Sequence, residues 1–379
     1  MEQVAERLEP KVKNSCLSFV LGCGGTGGHI YPAIAIAQQL QQLGHKVSFI
    51  GNRGGMEETL ITGQGYAFKG IRVQKLYRRL SLANLLFPFL LVSSTLACLR
   101  LLHQNKAGAV ICTGGFVSGP IGIAAALLRI PLYLHESNSY PGITTKYLAR
   151  HSRFVFTGFS DTAKHLPRAN IRELGIPLAQ AENLPHDATI EEISLDGSKP
   201  ILLVTGGSQG SLAINSTVAA ALPRLLELGW QVIWQTGQAG YEEFAARFSG
   251  HAGIYVFAFS PQLKNYYQLA RVAVTRAGAM TIAELIENRL PAVLIPLPTA
   301  AENHQHYNAL EQQRKGQALL LRQSELTGDK LVEAISQVGK NHPSYLEKLE
   351  QAPPNTAAED IAREILTDLN KEQHNAGKN

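Results

Sequence analysis

Cysteine is scarce in this chain: four residues in 379, Cys16, Cys23, Cys98 and Cys112, none of them in a CxxC pair. That spacing excludes a cysteine-built zinc site and a disulfide framework, and it fits reduced thiols in a cytosolic protein. No GxxxxGK[ST] occurs, which sets aside a P-loop NTPase. No Asp-x-Asp occurs either, so no carboxylate pair offers itself to a divalent ion, and no metal or cofactor is expected. The first residues, MEQVAERLEPKVKN, mix both charges without an apolar run, so no secretory signal is expected there.

Acidic residues are also missing from a long stretch. Between Glu58 and Glu136 there is none, while Lys69, Arg72, Lys75, Arg78, Arg79, Arg100, Lys106 and Arg129 lie within it. Those eight charges exceed the whole net charge of +5. The excess points to an anionic partner on the N-terminal half, or to a solvated basic face. Nothing in the motifs points to nucleic acid. From Leu80 to Leu99 the chain carries no charge, but Pro88 breaks the run and Ser81, Asn84, Ser93, Ser94 and Thr95 dilute it. A helix opening at Pro88 puts Phe89, Val92, Leu96 and Leu99 on one face. That spacing suits a core helix, or one lying on an anionic membrane surface, better than a membrane span.

What the chain does have is glycine at strand ends. Buried-strand patterns run into Gly24-Gly25-Thr26-Gly27-Gly28-His29, into Gly114-Gly115-Phe116, and into Gly206-Gly207-Ser208-Gln209-Gly210-Ser211. Such turns let main-chain N–H groups close on a phosphate at a helix N-terminus. Strand and helix patterns alternate from Cys16 to about Gly175 and again from Pro200, which predicts an α/β protein of two Rossmann-like, doubly wound domains facing a cleft. The expected boundaries are 16–175 and 176–356. The polar stretch at 178–200 reads as surface or linker, 357–369 as a final helix that packs back on the first domain, and KEQHNAGKN as a frayed tail.

Several residues stand at the strand ends with chemistry to offer. His29 closes the first turn where a helix begins, as a general base held neutral by the helix end or as a structural histidine. His135-Glu136-Ser137-Asn138 follows a buried strand, as a site or as a turn with a helix cap. Arg276 to Glu284 forms another glycine turn and helix start, with Glu284 placed for ribose hydroxyls or simply for the helix dipole. His304 and His306 are two apart and point to different faces, which disfavours a metal.

The motifs GGTGGHIYPA, CTGGFVSGP, LHESNSYPG, VTGGSQGSLAIN, TRAGAMTIAELI and IPLPTAAENHQHYNA occur in this order. Together they resemble the bacterial MurG-type N-acetylglucosaminyltransferases over roughly residues 16 to 365. The resemblance implies a GT-B fold and an inverting transfer of N-acetylglucosamine (GlcNAc) from UDP-GlcNAc to the 4-hydroxyl of the muramyl sugar of lipid I, giving lipid II for peptidoglycan. It implies donor contacts from Thr26, Gly27, Gly28, Asn138, Ser208, the main chain near Ser260, Ala279, Met280, Thr281, Ile282, Ala283, Glu284 and Gln305. Gly114, Gly115 and Phe116 become the acceptor-side turn. His29 is the favoured base and Glu136 the runner-up. A peripheral place on the cytoplasmic side of the inner membrane, near 75–89, and wall-synthesis and division proteins as partners follow from the same resemblance. The family's junction arginine is missing from Gly175-Ile176-Pro177-Leu178-Ala179, with Arg172 as the candidate to replace it. The alternatives are a diacylglycerol glycosyltransferase, a UDP-GlcNAc 2-epimerase, and a nucleotide-sugar-binding scaffold.

Overall fold

Strands β1 (Ser18–Gly22), β4 (Ala109–Cys112) and β5 (Leu132–Glu136) are buried along almost their whole length, as expected of parallel strands covered on both faces. The computed structural model describes residues 16–75, 85–179, 193–207, 209–260 and 263–376. The first sheet has the order β3-β2-β1-β4-β5-β6-β7, all parallel, with β2 at Lys46–Asn52, β3 at Ala67–Ile71, β6 at Phe154–Thr157 and β7 at Ile171–Glu173. Its helices are α1 (Gly27–Gln42), α2 (Met56–Gly63), α3 (Phe87–Gln104), α4 (Ser118–Leu127) and α5 (Ile143–Leu148).

The second sheet repeats the plan as β10-β9-β8-β11-β12-β13, again all parallel. Its strands are β8 (Ile201–Thr205), β9 (Gln231–Gln235), β10 (Ile254–Phe257), β11 (Val272–Thr275), β12 (Ala292–Leu294) and β13 (Ala318–Leu320). The helices are α6 (Leu212–Glu227), α7 (Gln238–Phe248), α8 (Leu263–Leu269), α9 (Ala279–Glu287), α10 (His304–Arg314), α11 (Gly328–Lys340), α12 (His342–Glu350) and α13 (Ala357–Ala376). In each sheet the order reverses beside the first strand. The crevice for a ligand therefore opens beyond the carboxyl ends of β1 and β4, and of β8 and β11.

Three strands were not legible as such. β3 and β7 are edge strands carrying Lys69, Arg172 and Glu173, which blunt an edge but erase the apolar pattern. β13 is three residues long. Two expectations need correction. Ile193 and Leu195, inside the expected linker, are buried in the second domain's core with Ile201, Leu203 and Leu285; residues 180–192 lie outside those described. The expected frayed tail is helical to Ala376, because Arg153 pairs with Asp368 at 3.0 Å and with Glu372 at 2.6 Å. Helix α13 lies against the first domain, with Ile361, Ala362 and Ile365 buried among Ile30, Ile34 and Phe156.

Helix α3 starts with Pro88 in its first turn, as its sequence suggests. It is long and apolar enough to cross a membrane, yet it packs along α4 and sends Cys98 and Leu102 into the core. Its polarity is inverted. Ser94 and Thr95 face inward with their hydroxyls bonded to Leu91 O, whereas Phe89 (74% exposed), Val92 (60%) and Leu96 (60%) face out.

Candidate active site

The first glycine turn carries His29 onto the third position of α1. Its Nδ1 lies 3.1 Å from Thr113 O. A carbonyl only accepts, so Nδ1 holds the proton and Nε2 keeps a lone pair. Thr113 answers with its hydroxyl, which donates to His29 O at 2.6 Å. Gly114 and Gly115 (φ +106° and +81°) follow; a Cβ on Gly114 would strike the imidazole, 2.6 Å from Nδ1, and one on Gly115 would collide with the Gly24 carbonyl and press on the ring, 3.3 Å from Cδ2. The expected acceptor-side turn is thus also the seat of the histidine. Burial lowers the His29 pKa, Glu136 and the Thr113 bond oppose that, and His304 adds to it. Desolvation, rather than the helix end, is the main cause.

Glu136 is 2% exposed and both of its oxygens are engaged. Oε1 accepts from the Asn138 N–H and Nδ2, each at 3.1 Å, and Oε2 from the Gly142 N–H at 3.0 Å and the Thr145 hydroxyl at 2.7 Å. A carboxylate so occupied frames the loop after β5, which favours His29 over Glu136 as the base. Ser137 Oγ lies 3.3 Å from Gly28 O. Pro32 within α1 has no N–H to give that carbonyl, and the serine fills the gap. Buried His135 donates from Nε2 to Gly175 O at 3.1 Å, and its pKa is pushed down to about 4 by burial.

The two domains meet through α10. Asn308 accepts the Ser139 N–H at 2.9 Å and donates to Ala277 O at 3.2 Å. Glu311 takes Ser139 Oγ at 3.2 Å and Ser160 Oγ at 3.0 Å, and Tyr307 stacks on Tyr140. Ahead of α10, Glu302 and Asn303 both hold left-handed backbone (φ +52° and +53°), which aims the helix start at the crevice. There His304 hydrogen-bonds Ala301 O through Nδ1 at 2.6 Å, and burial lowers its pKa. Gln305 accepts the Leu297 N–H at 3.0 Å.

At the second sheet, Ser211 caps α6 and Gly278 precedes α9 without any side chain to cap it. The first-turn N–H groups of α9 have no intrahelical partner, as at any helix start. Arg276, 8% exposed, donates to Ser211 Oγ at 2.7 Å, Ile295 O at 3.1 Å and Pro296 O at 3.2 Å. Glu284 receives the Tyr267 hydroxyl on Oε2 at 2.9 Å, and burial raises its pKa. The Ser260 N–H is donated to Gln235 Oε1 at 3.2 Å, which fixes the main chain after β10 beside the end of β9.

Most of the residues chosen from sequence sit at these strand ends, but not all in the expected manner. Ile282 and Ala283 are turned into the core, and the Ile282 N–H is spent on Gly278 O at 3.0 Å. Only Ala279, Met280 and Thr281 of that turn remain for a phosphate. Thr26 is exposed ahead of Gly27 and Gly28, Asn138 is half-buried behind Glu136, and the Phe116 ring covers Gly25. Ser208 lies outside the described residues. Arg172 stacks on Phe154 and bonds Asn170 on its own sheet, so it does not replace a junction arginine. Sequence reasoning missed Arg276, Thr113 and Asn308. An arginine inside an otherwise apolar strand end was the one available signal. Among the described residues no group of three or more His, Cys, Asp or Glu could hold a metal ion.

Residues 19–157 match the glycosyltransferase family 28 N-terminal domain and residues 201–365 its C-terminal domain. A curated UDP-N-acetylglucosamine–N-acetylmuramyl-(pentapeptide) pyrophosphoryl-undecaprenol N-acetylglucosamine transferase from Flavobacterium psychrophilum is 34% identical over 92% of this chain and 96% of its own length. The chain belongs to this transferase family. A namesake from Bacillus pumilus is 35% identical over 88% of this chain and 93% of its own. Among solved structures, Acinetobacter baumannii MurG superposes with a TM-score of 0.73 at 29% identity, covering 93% of this chain and all of that one. The calicheamicin glycosyltransferase, at 13% identity and TM-score 0.67 over 92% of this chain and 97% of its own, shares the fold alone. The two-sheet architecture is the GT-B fold, and the chain is a UDP-GlcNAc-dependent N-acetylglucosaminyltransferase.

Proposed function

We propose that this protein transfers GlcNAc from UDP-GlcNAc to the 4-hydroxyl of the muramyl sugar of lipid I, with His29 as the base. The observation that carries the assignment is the His29–Thr113 pair: Nδ1–H is anchored at 3.1 Å, which leaves Nε2 as the proton acceptor. The hydroxyl oxygen attacks the anomeric carbon, its proton passes to Nε2, and the carbon–oxygen bond to UDP breaks with inversion. The starts of α6 and α9 offer main-chain N–H groups to the departing diphosphate. Glu284 Oε1 takes no hydrogen bond among the described residues and suits a ribose hydroxyl.

We assign residues 16–175 with α13 to the acceptor and 176–356 to the donor. The inverted face of α3 supports a peripheral seat on the membrane that carries lipid I. Its apolar stripe runs toward Arg100, which lines a recess of about 380 Å³ with Arg53 and Arg72. Cations beside exposed apolar residues suit an anionic leaflet. The test is transfer from labelled UDP-GlcNAc to lipid I in detergent, with and without EDTA. Lipid II formation in both arms supports the reading; turnover on diacylglycerol alone, or release of an epimer, overturns it.

A further inference from the structure

Glu57 is the most deeply placed acid of the first domain, 1% exposed at the second position of α2. Three glycines leave room for it. A Cβ at Gly24 would collide with Oε1, one at Gly55 would lie 2.7 Å from Oε2, and one at Gly51 2.8 Å from Cγ. Among the described residues no cation pairs with it. Its oxygens instead accept main-chain donors, Oε1 the Asn52 N–H at 3.0 Å and Oε2 the Gly25 N–H at 3.4 Å. The start of α2 adds the favourable end of a helix dipole.

The second of those donors matters for the chemistry. Gly25 (φ +89°) is the middle of the turn that becomes α1 four residues before His29 completes it. On the other side the Phe116 ring lies 3.2 Å from where a Gly25 Cβ would be, and the Gly24 carbonyl abuts Gly115, the residue that seats the imidazole. The turn is therefore held between a carboxylate beneath and the Gly115–Phe116 turn opposite. We infer that Glu57 is a positioning residue for transfer: it touches no substrate, but it fixes the Gly24–Gly25 peptide and through it the register of His29 against the acceptor-side turn. The inference rests on the transfer reaction stated above.

Glu57→Gln keeps the shape but turns one acceptor into an N–H₂ facing N–H donors. Gly24→Ala and Gly55→Ala keep the carboxylate and push it from two sides, at positions whose φ suits alanine. Each variant is expected to bind UDP as the parent does, because that ligand lies on the second domain, and to melt within a few degrees of it. Each should lose about 10–100-fold in kcat/KM for lipid I, the scale of a displacement near 1 Å. Glu57→Gln combined with Gly24→Ala should cost little more than either alone, since both disturb one contact. If Glu57→Gln does not fold, the two alanine variants carry the same expectations. The inference is overturned if kcat and the acceptor KM stay within twofold of the parent. It is equally overturned if UDP affinity and melting temperature fall along with activity, as a general structural role would give. An inactive parent enzyme would instead count against the reaction itself.

Discussion

Arg276 Nη2 donates to Ser211 Oγ at 2.7 Å across 65 residues of sequence. The same guanidinium holds two carbonyls beyond β12, and no acid neutralises it among the described residues. A fixed positive charge thus ties the cap of α6 to the end of β11, where the donor diphosphate is assigned. Burial lowers its pKa without threatening its charge.

Arg276→Lys is expected to weaken UDP binding about 10–100-fold, because an ammonium cannot reach three divergent acceptors at once and hydrogen bonds to charged groups are worth about 1.5–3 kcal/mol each. Titration calorimetry with UDP measures this directly. Parental affinity in the variant would remove Arg276 from the donor site.

His29→Ala should lower kcat by roughly 10²–10⁴ and leave UDP affinity unchanged. Since burial lowers its pKa, the acidic limb of the kcat/KM profile should fall below the ordinary histidine range near 6.5. The Glu136 charge raises that pKa, so Glu136→Gln should shift the limb further toward acid, with kcat lowered because the new N–H₂ faces the donors of the loop after β5. A lost limb in Glu136→Gln would instead restore the carboxylate as the base.

Buried His135 makes stability depend on pH with a definite sign. Its folded pKa of about 4 lies below the unfolded value near 6.5, so the unfolded chain binds the extra proton between them. Its neutral form is fully compatible with folding above about pH 6.5, and stability declines as pH falls toward 4, by about 3 kcal/mol at most. His135→Asn should flatten that part of the melting-temperature profile; an unchanged slope would refute the assignment.

Replacing Phe89, Val92 and Leu96 together with serine should leave the melting temperature nearly unchanged, since all three are exposed. Cosedimentation with phosphatidylglycerol vesicles should drop at least tenfold, the loss expected from removing three apolar side chains from an interface. Undiminished cosedimentation would place the membrane contact elsewhere.

The central strands were readable because β1, β4, β8 and β11 are largely apolar runs, the first three leading into paired glycines, and β5 is apolar up to His135. The edges were not, since β3 and β7 trade that pattern for charge. The glycine turns marked the crevice correctly, but which groups face it depends on partners far away in sequence. His29 gains its tautomer from Thr113, 84 residues on, and Asn308 reaches back 169 residues to Ser139. Glu136 illustrates the limit. Its place after a buried strand suggested chemistry, and only the four donors around it show that it is fully occupied.

Helix α13 closes over α1 and is tied down where Tyr133 and Arg153 both donate to Asp368. During synthesis, then, the first sheet emerges early yet keeps an oily flank bare while the whole second sheet is made. The half of the molecule translated first is sealed last, so a nascent chain should stay exposed to chaperones and proteases until residues near 369 leave the ribosome.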